Sequence, residues 1–464
     1  MKNEFEILVG MIRRLIILFF ILNIGFTLFA QQESEFKINS KKKIVIPFRF
    51  INNLIFIEVE VNGVMLTFML DSGVGQTILL SLEDKEVEFE NIKKVKLSGL
   101  GSKDEIDGLI SIANKVAINK KMIDTNHRII IILKEDFNFS SHVGIPINGI
   151  LGYDFFKNYP VYIDFEYNKI YVYPDTVKFQ KIIKREKEID ITIEKNKPYT
   201  YGNIKLQDTI LNAKLLIDLG NSDGLWLFPK QINGFKYPEP NFDDYLGRGF
   251  NGDIYGKRSK VKEFSLLNYS LEKPLVTIPS DSSTASIDMV ENRKGSIGNE
   301  ILKRFSLYMD YPNQKIYVRK NSLFNNEFKY NLAGIDLKFD GMQWAEEYYI
   351  SFDMQVNRQD NAYATSTDAT NKLPVSHLNY KFVLKPVYSV AGIRNNSPAS
   401  EADIQENDIL IKINGKQANQ MKLESLIEHF YSQEGRVLRM EFKRGDEILK
   451  KTIILKDPMN KKEE

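Results

Sequence analysis

Cysteine is absent from the 464 residues, tryptophan occurs only twice and histidine four times. No disulfide, thiolate metal site or cysteine nucleophile can operate, so the chain holds together through its core alone. His127, His142, His377 and His429 show no metal-ligand spacing, and neither a metal nor a cofactor is expected. Charge of one sign is also lacking. A formal net charge of +2 gives no argument for nucleic acid or an anionic surface as partner. Nor does any apolar run reach the ~20 residues that span a bilayer.

One uncharged and strongly apolar stretch, Leu15 to Ala30, follows Arg13-Arg14 and precedes the polar "QQESE". That is the plan of a secretory leader. Residues 1–30 are therefore expected to be a signal peptide, with the remainder exported to the periplasm, the cell surface or the medium and no membrane span left after its removal.

What the chain does contain is a duplication. "FMLDSGVGQTILL" (68–80) and "LLIDLGNSDGLWL" (215–227) both place aspartate fourth and glycine sixth, and Asp71 lies 147 residues before Asp218. "SGLGSKDEIDG" is answered by "GRGFNGDIYG", Gly101 to Gly249 being a step of 148. "GILGYDFFKNYPVYIDFEYNKIYV" is answered by "GSIGNEILKRFSLYMDYPNQKIYV" at a step of 146. A near-constant offset over three segments marks two copies of one unit, residues 43–174 and 190–320.

Both copies read as strands, being rich in β-branched and aromatic residues and punctuated by turns. Asn62-Gly63 between "FIEVEV" and "VMLTFML" is a two-residue hairpin signal. Each copy is thus a β lobe in which a hairpin delivers an aspartate to a glycine-containing turn. Short helices are expected after Gly152 and Gly298.

Gly220-Asn221-Ser222-Asp223-Gly224 also fits the G-x-S-x-G of a serine hydrolase elbow. That elbow needs a helix after the serine and a histidine in reach. "LWLFPK" reads as a strand, and the later histidines lie outside the lobe.

These motifs resemble a bilobal, pepsin/retropepsin-like aspartic protease of the bacterial exported type that ends in a PDZ domain. The resemblance covers about residues 43 to 320, and it implies a mainly β fold of two duplicated, barrel-like lobes. It implies Asp71 and Asp218 as catalytic, supported by Ser72, Gly73 and Gly220, with flap hairpins at Gly99 and Gly101 and at Gly247 and Gly249. Two adjacent buried carboxylates share a proton, so that one activates water while the other donates to the peptide carbonyl. In the family the hydroxyl residue between aspartate and glycine bonds across the lobes; Ser72 can, whereas Leu219 has no hydroxyl. The alternative is therefore a bilobal peptide-binding protein that has lost dyad geometry.

Residues 331–457 resemble a PDZ domain with a polar insertion near 355–374. "KLESLIEHFYSQ" sets Leu423, Leu426, Ile427 and Phe430 on one helical face. "LAGIDLKFD" resembles the carboxylate-binding loop and implies that Gly334 and Ile335 offer backbone donors to a peptide ligand. Protein or peptide substrates are the expected partners, and a monomer the expected state.

Overall fold

A computed structural model describes residues 34–97, 106–132, 139–207, 209–249, 252–284, 289–353 and 375–460. The leader, Gly99, Gly101 and the insertion 355–374 lie outside them. The fold is mainly β, in two compact units: one runs to Asn138 and from Pro146 to Phe328, the other takes Phe139–Ile145 and Lys329–Glu464.

In the first unit the duplication is visible strand by strand. Val64–Leu70 pairs antiparallel with Leu54–Val61 and parallel with Gly149–Leu151, which also pairs antiparallel with Thr77–Leu79. The second copy repeats this: Thr209–Ile217 pairs with Lys197–Leu206 and runs parallel to Arg293–Ile297, whose other neighbour is Leu225–Leu227. The Asn62-Gly63 hairpin forms, with positive φ at both residues (48° and 90°), as a primed turn requires. Tyr153–Phe156 and Asn299–Leu302 are the expected short helices.

Six strands bridge the copies in one sheet, with Val161–Asp164 of the first lobe pairing antiparallel with Phe305–Asp310 of the second. Tyr162 stacks on Tyr308 across that seam at 4.3 Å between centroids. One apolar core, including Phe68, Leu70, Ile217 and Leu219, runs through both lobes and fixes the two aspartate turns relative to each other.

The second unit is a sheet ordered Ile335–Asp353, Val375–Ile393, Ile409–Ile413, Val437–Arg444, Glu447–Ile454. Ser397 caps a short helix Pro398–Glu401, and Leu423–Glu428 buries Leu423 and Leu426, with Phe430 buried just beyond it. Asp403 and Asn407 take positive φ (52° and 69°), a geometry short polar side chains tolerate. Buried Asp408 accepts hydrogen bonds from Arg444 Nε at 2.7 Å and Nη2 at 2.8 Å.

Among the described residues no helix is long and apolar enough to cross a membrane.

Candidate functional site

Asp71 and Asp218 each follow directly on the strand that delivers them. Asp71 donates its backbone N–H to Leu151 O (3.0 Å), and Asp218 does the same to Ile297 O (2.9 Å). The next turn folds back, so that Gly73 N–H bonds Asp71 Oδ1 at 2.6 Å and Gly220 N–H bonds Asp218 Oδ1 at 3.2 Å. The two turns interlock. A Cβ at Gly220 would stand 2.2 Å from Asp71 Cγ, and one at Gly73 would stand 2.8 Å from Asp218 Oδ1. Glycine is required at both positions because each backbone passes against the opposite carboxyl group.

The carboxyl groups lie within hydrogen-bonding reach of each other, and both are held above the ordinary carboxylate range. For Asp71 burial is the larger cause and the neighbouring Asp218 charge the second, which together push it up to about 7 against opposing pulls from Gly73 N–H, Lys197 and Gly220 N–H. Asp218 is raised by burial and pulled back by Arg293 and Lys197. A pair so placed titrates as a unit and carries one proton over a wide pH range.

Ser72 sits between the turns. Its hydroxyl donates to Ile217 O at 2.7 Å and accepts from Leu219 N–H at 3.0 Å, all of it buried. Leu219 cannot return this contact; its side chain is fully buried in the apolar core.

The second turn is held from elsewhere. Asn299 Nδ2 donates to Leu219 O at 2.6 Å and to Asn53 O at 2.7 Å. Asn53, on a first-lobe hairpin tip, donates to Ser222 O (3.0 Å) and Glu300 Oε2 (2.8 Å), and its Oδ1 accepts from Lys303 Nζ (2.9 Å). Asn221 Oδ1 merely closes its own turn on Asp223 N–H.

Sequence reasoning did not single out Asn53, Asn299, Lys197 or Arg293. Asn299 carried one signal: at a step of 146 it stands where the first lobe has Tyr153, a polar residue after the conserved spacing of the duplicated glycines. It also missed Tyr311. That hydroxyl is buried without a hydrogen-bond partner and feels both dyad charges, while its ring stacks on Phe156 at 5.2 Å.

Ser222 has no elbow. Leu225–Leu227 after it is a strand, and Asp223 is occupied by Arg258 Nη1 (2.7 Å), Trp226 Nε1 (2.8 Å) and Thr277 Oγ1 (3.0 Å). His127 is packed, bridging Thr77 Oγ1 and Asp124 Oδ2 at 2.7 Å each with all three residues buried.

Gly247 and Gly249 lie on Asn241–Gly249, which forms a hairpin with Gly252–Lys260; Gly247 takes φ +121° at a break in register. In the other unit, Gly334 N–H and Ala333 N–H both donate to Asn331 Oδ1, and Leu332 N–H donates to Phe430 O. The N–H expected to meet a peptide terminus is thus used internally at Gly334, and Ile335 is buried in register with Ile393.

Ile335–Asp353 is the edge strand of its sheet, with helix Leu423–Glu428 packed on it. The segment Phe139–Ile145 belongs to this unit. Its helical turn Ser140–Val143 packs on the same edge strand, and Gly144 backs onto Leu423 so closely that a Cβ would stand 2.9 Å from Leu423 Cβ.

A family model for the PDZ domain matches residues 389–444, so the chain carries a PDZ domain within the second unit. Among solved structures the chain is similar to basic 7S globulin from soybean, at 8% identity and a TM-score of 0.38, over 62% of this chain and 98% of that one. No curated protein matches the sequence. The protein is thus a mainly β chain whose first unit repeats one strand arrangement twice and whose second carries a PDZ domain.

Proposed function

We propose that the chain is an exported aspartic-type endopeptidase whose PDZ domain binds protein or peptide. The observation that carries this reading is the pair Asp71 and Asp218, buried, within hydrogen-bonding reach and both raised in pKa. The ionised member takes a proton from a water as it attacks the peptide carbonyl, and the protonated member donates to the carbonyl oxygen. Collapse of the tetrahedral intermediate expels the amine with a proton and returns the pair to one shared proton. Ser72 and Asn299 act as positioning residues, since an error of ~1 Å in such a site costs on the order of a hundredfold in rate.

The competing reading, a peptide-binding protein with a lost dyad, draws on Leu219. Asn299 answers it by holding Leu219 O from the other side. To separate the two, residues 31–464 are incubated with a mixed peptide library from pH 3 to pH 8, beside Asp71→Asn and Asp218→Asn. Cleavage by wild type that both variants lose supports the protease, whereas no wild-type cleavage leaves the binding protein.

PDZ domains take extended peptides by adding them to a sheet edge. Here Phe139–Ile145 packs on that edge, so the segment must leave before another peptide can occupy it.

A further inference from the structure

Beyond Phe339, the strands Ile335–Asp353 and Val375–Ile393 continue as a two-stranded ribbon with no third strand beside it among the described residues. Such a ribbon is marginal unless a face is covered. Its two faces differ sharply. On one, Trp344 faces Leu384, Glu346 faces Phe382, Tyr348 faces Tyr380 and Ile350 faces Leu378, and the seven apolar side chains among these are 49% to 65% exposed. On the other, Glu347 bridges Lys381 (2.7 Å) and Lys385 (2.6 Å).

We infer that this apolar face is the interface with a second copy of the chain, the two ribbons packing face to face. Seven side chains of ~200 Å² each, a little over half exposed, offer roughly 800 Å² per copy. That is about what each partner of a standard stable interface contributes. A contiguous apolar patch of this size marks an interaction site rather than ordinary surface.

Charge favours protein over lipid as the occupant. Of the charges between Met342 and Ile350 and between Leu378 and Pro386, Glu347, Lys381 and Lys385 lie on the opposite face, and Glu346 alone lies on the apolar one, where its Oε2 accepts from the Tyr348 hydroxyl at 3.1 Å. An anionic bilayer would therefore gain no electrostatic attraction to the ribbon. A two-fold pairing sets the same apolar side chains of each copy against one another, with each Glu346 carboxylate held by the Tyr348 hydroxyl of its own chain.

The test is the mass in solution of residues 31–464 by sedimentation velocity from 1 to 100 μM, with Trp344→Glu/Phe382→Glu as the disrupting variant and Lys381→Ala on the opposite face as control. The changed side chains are exposed, and thermal melts verify that each variant folds. The expected result is a two-chain mass for wild type and Lys381→Ala and a one-chain mass for the double variant. A one-chain wild type across the range overturns the proposal. Flotation with phosphatidylglycerol/phosphatidylethanolamine vesicles is run in parallel. A one-chain wild type that floats, and loses flotation in the double variant, assigns the face to lipid instead.

Discussion

The Ser72 hydroxyl accepts the Leu219 N–H at 3.0 Å while the Leu219 side chain points into the core, so one residue of the pair grips and the other packs. The link across the dyad is therefore one-sided. Replacing Ser72 with alanine leaves Leu219 N–H and Ile217 O buried and unpaired, at about 2–4 kcal/mol for the two. Urea unfolding of Ser72→Ala should show that loss. A variant as stable as wild type would mean that the bridge contributes nothing.

Asn299 supplies the other side. Its replacement by alanine frees Leu219 O and Asn53 O, 80 and 246 residues away in sequence. The expected cost is about 2 kcal/mol of stability. Peptide cleavage should fall by on the order of tenfold to a hundredfold, because the Asp218 turn loses its second anchor. Asn299→Asp, which keeps the size but replaces the donating amide, should also lose activity at neutral pH. Unchanged kcat/KM in both variants would remove Asn299 from the positioning role.

The dyad makes stability depend on pH with a definite sign. Asp71 and Asp218 are raised in the folded protein, so the native state binds a proton that the unfolded chain has already released above about pH 4. The stabilisation is complete below the unfolded value and is lost as pH rises towards about 7, where Asp71 titrates. One such proton contributes a slope of up to ~1.4 kcal/mol per pH unit. Unfolding free energies of wild type and Asp71→Asn, measured from pH 4 to pH 7, should converge or cross, because wild type carries the Asp71 decline in addition to the one that burial of Asp218 gives both. Parallel curves would contradict the shared proton.

Gly144 lies against Leu423, on the helix that packs on the PDZ edge strand. Its φ of +79° is unfavourable for a β-branched residue, and the added Cβ meets Leu423. Gly144→Val should loosen Phe139–Ile145 and increase, at least tenfold, the affinity for a synthetic peptide of that sequence, read by fluorescence anisotropy. Equal affinity for wild type and variant would show that the segment does not compete for the edge.

The aspartates were legible because the duplication repeats them at a fixed offset with the same strand before and glycine two residues after. Hairpins and capped turns were legible for the same local reason: Asn62-Gly63 and Asp403 declare their φ through residue type. Contacts distant in sequence were not. Nothing in "INNL" says that Asn53 meets Asn299, and nothing in "FSSHV" says that it packs on Ile335–Asp353. The ribbon escaped because its alternation continues past the PDZ strands into a polar stretch. Gly334 shows the converse limit, since a motif can place a donor but not reveal that Asn331 already occupies it.

The central claim is that Asp71 and Asp218 together cleave peptide bonds. Its most direct test is kcat/KM of wild type, Asp71→Asn and Asp218→Asn on one peptide cleaved by wild type, at the pH of maximal rate. Loss of at least ~10²-fold in each variant, with both still folded, is the predicted result. Wild-type rates in either variant would contradict it.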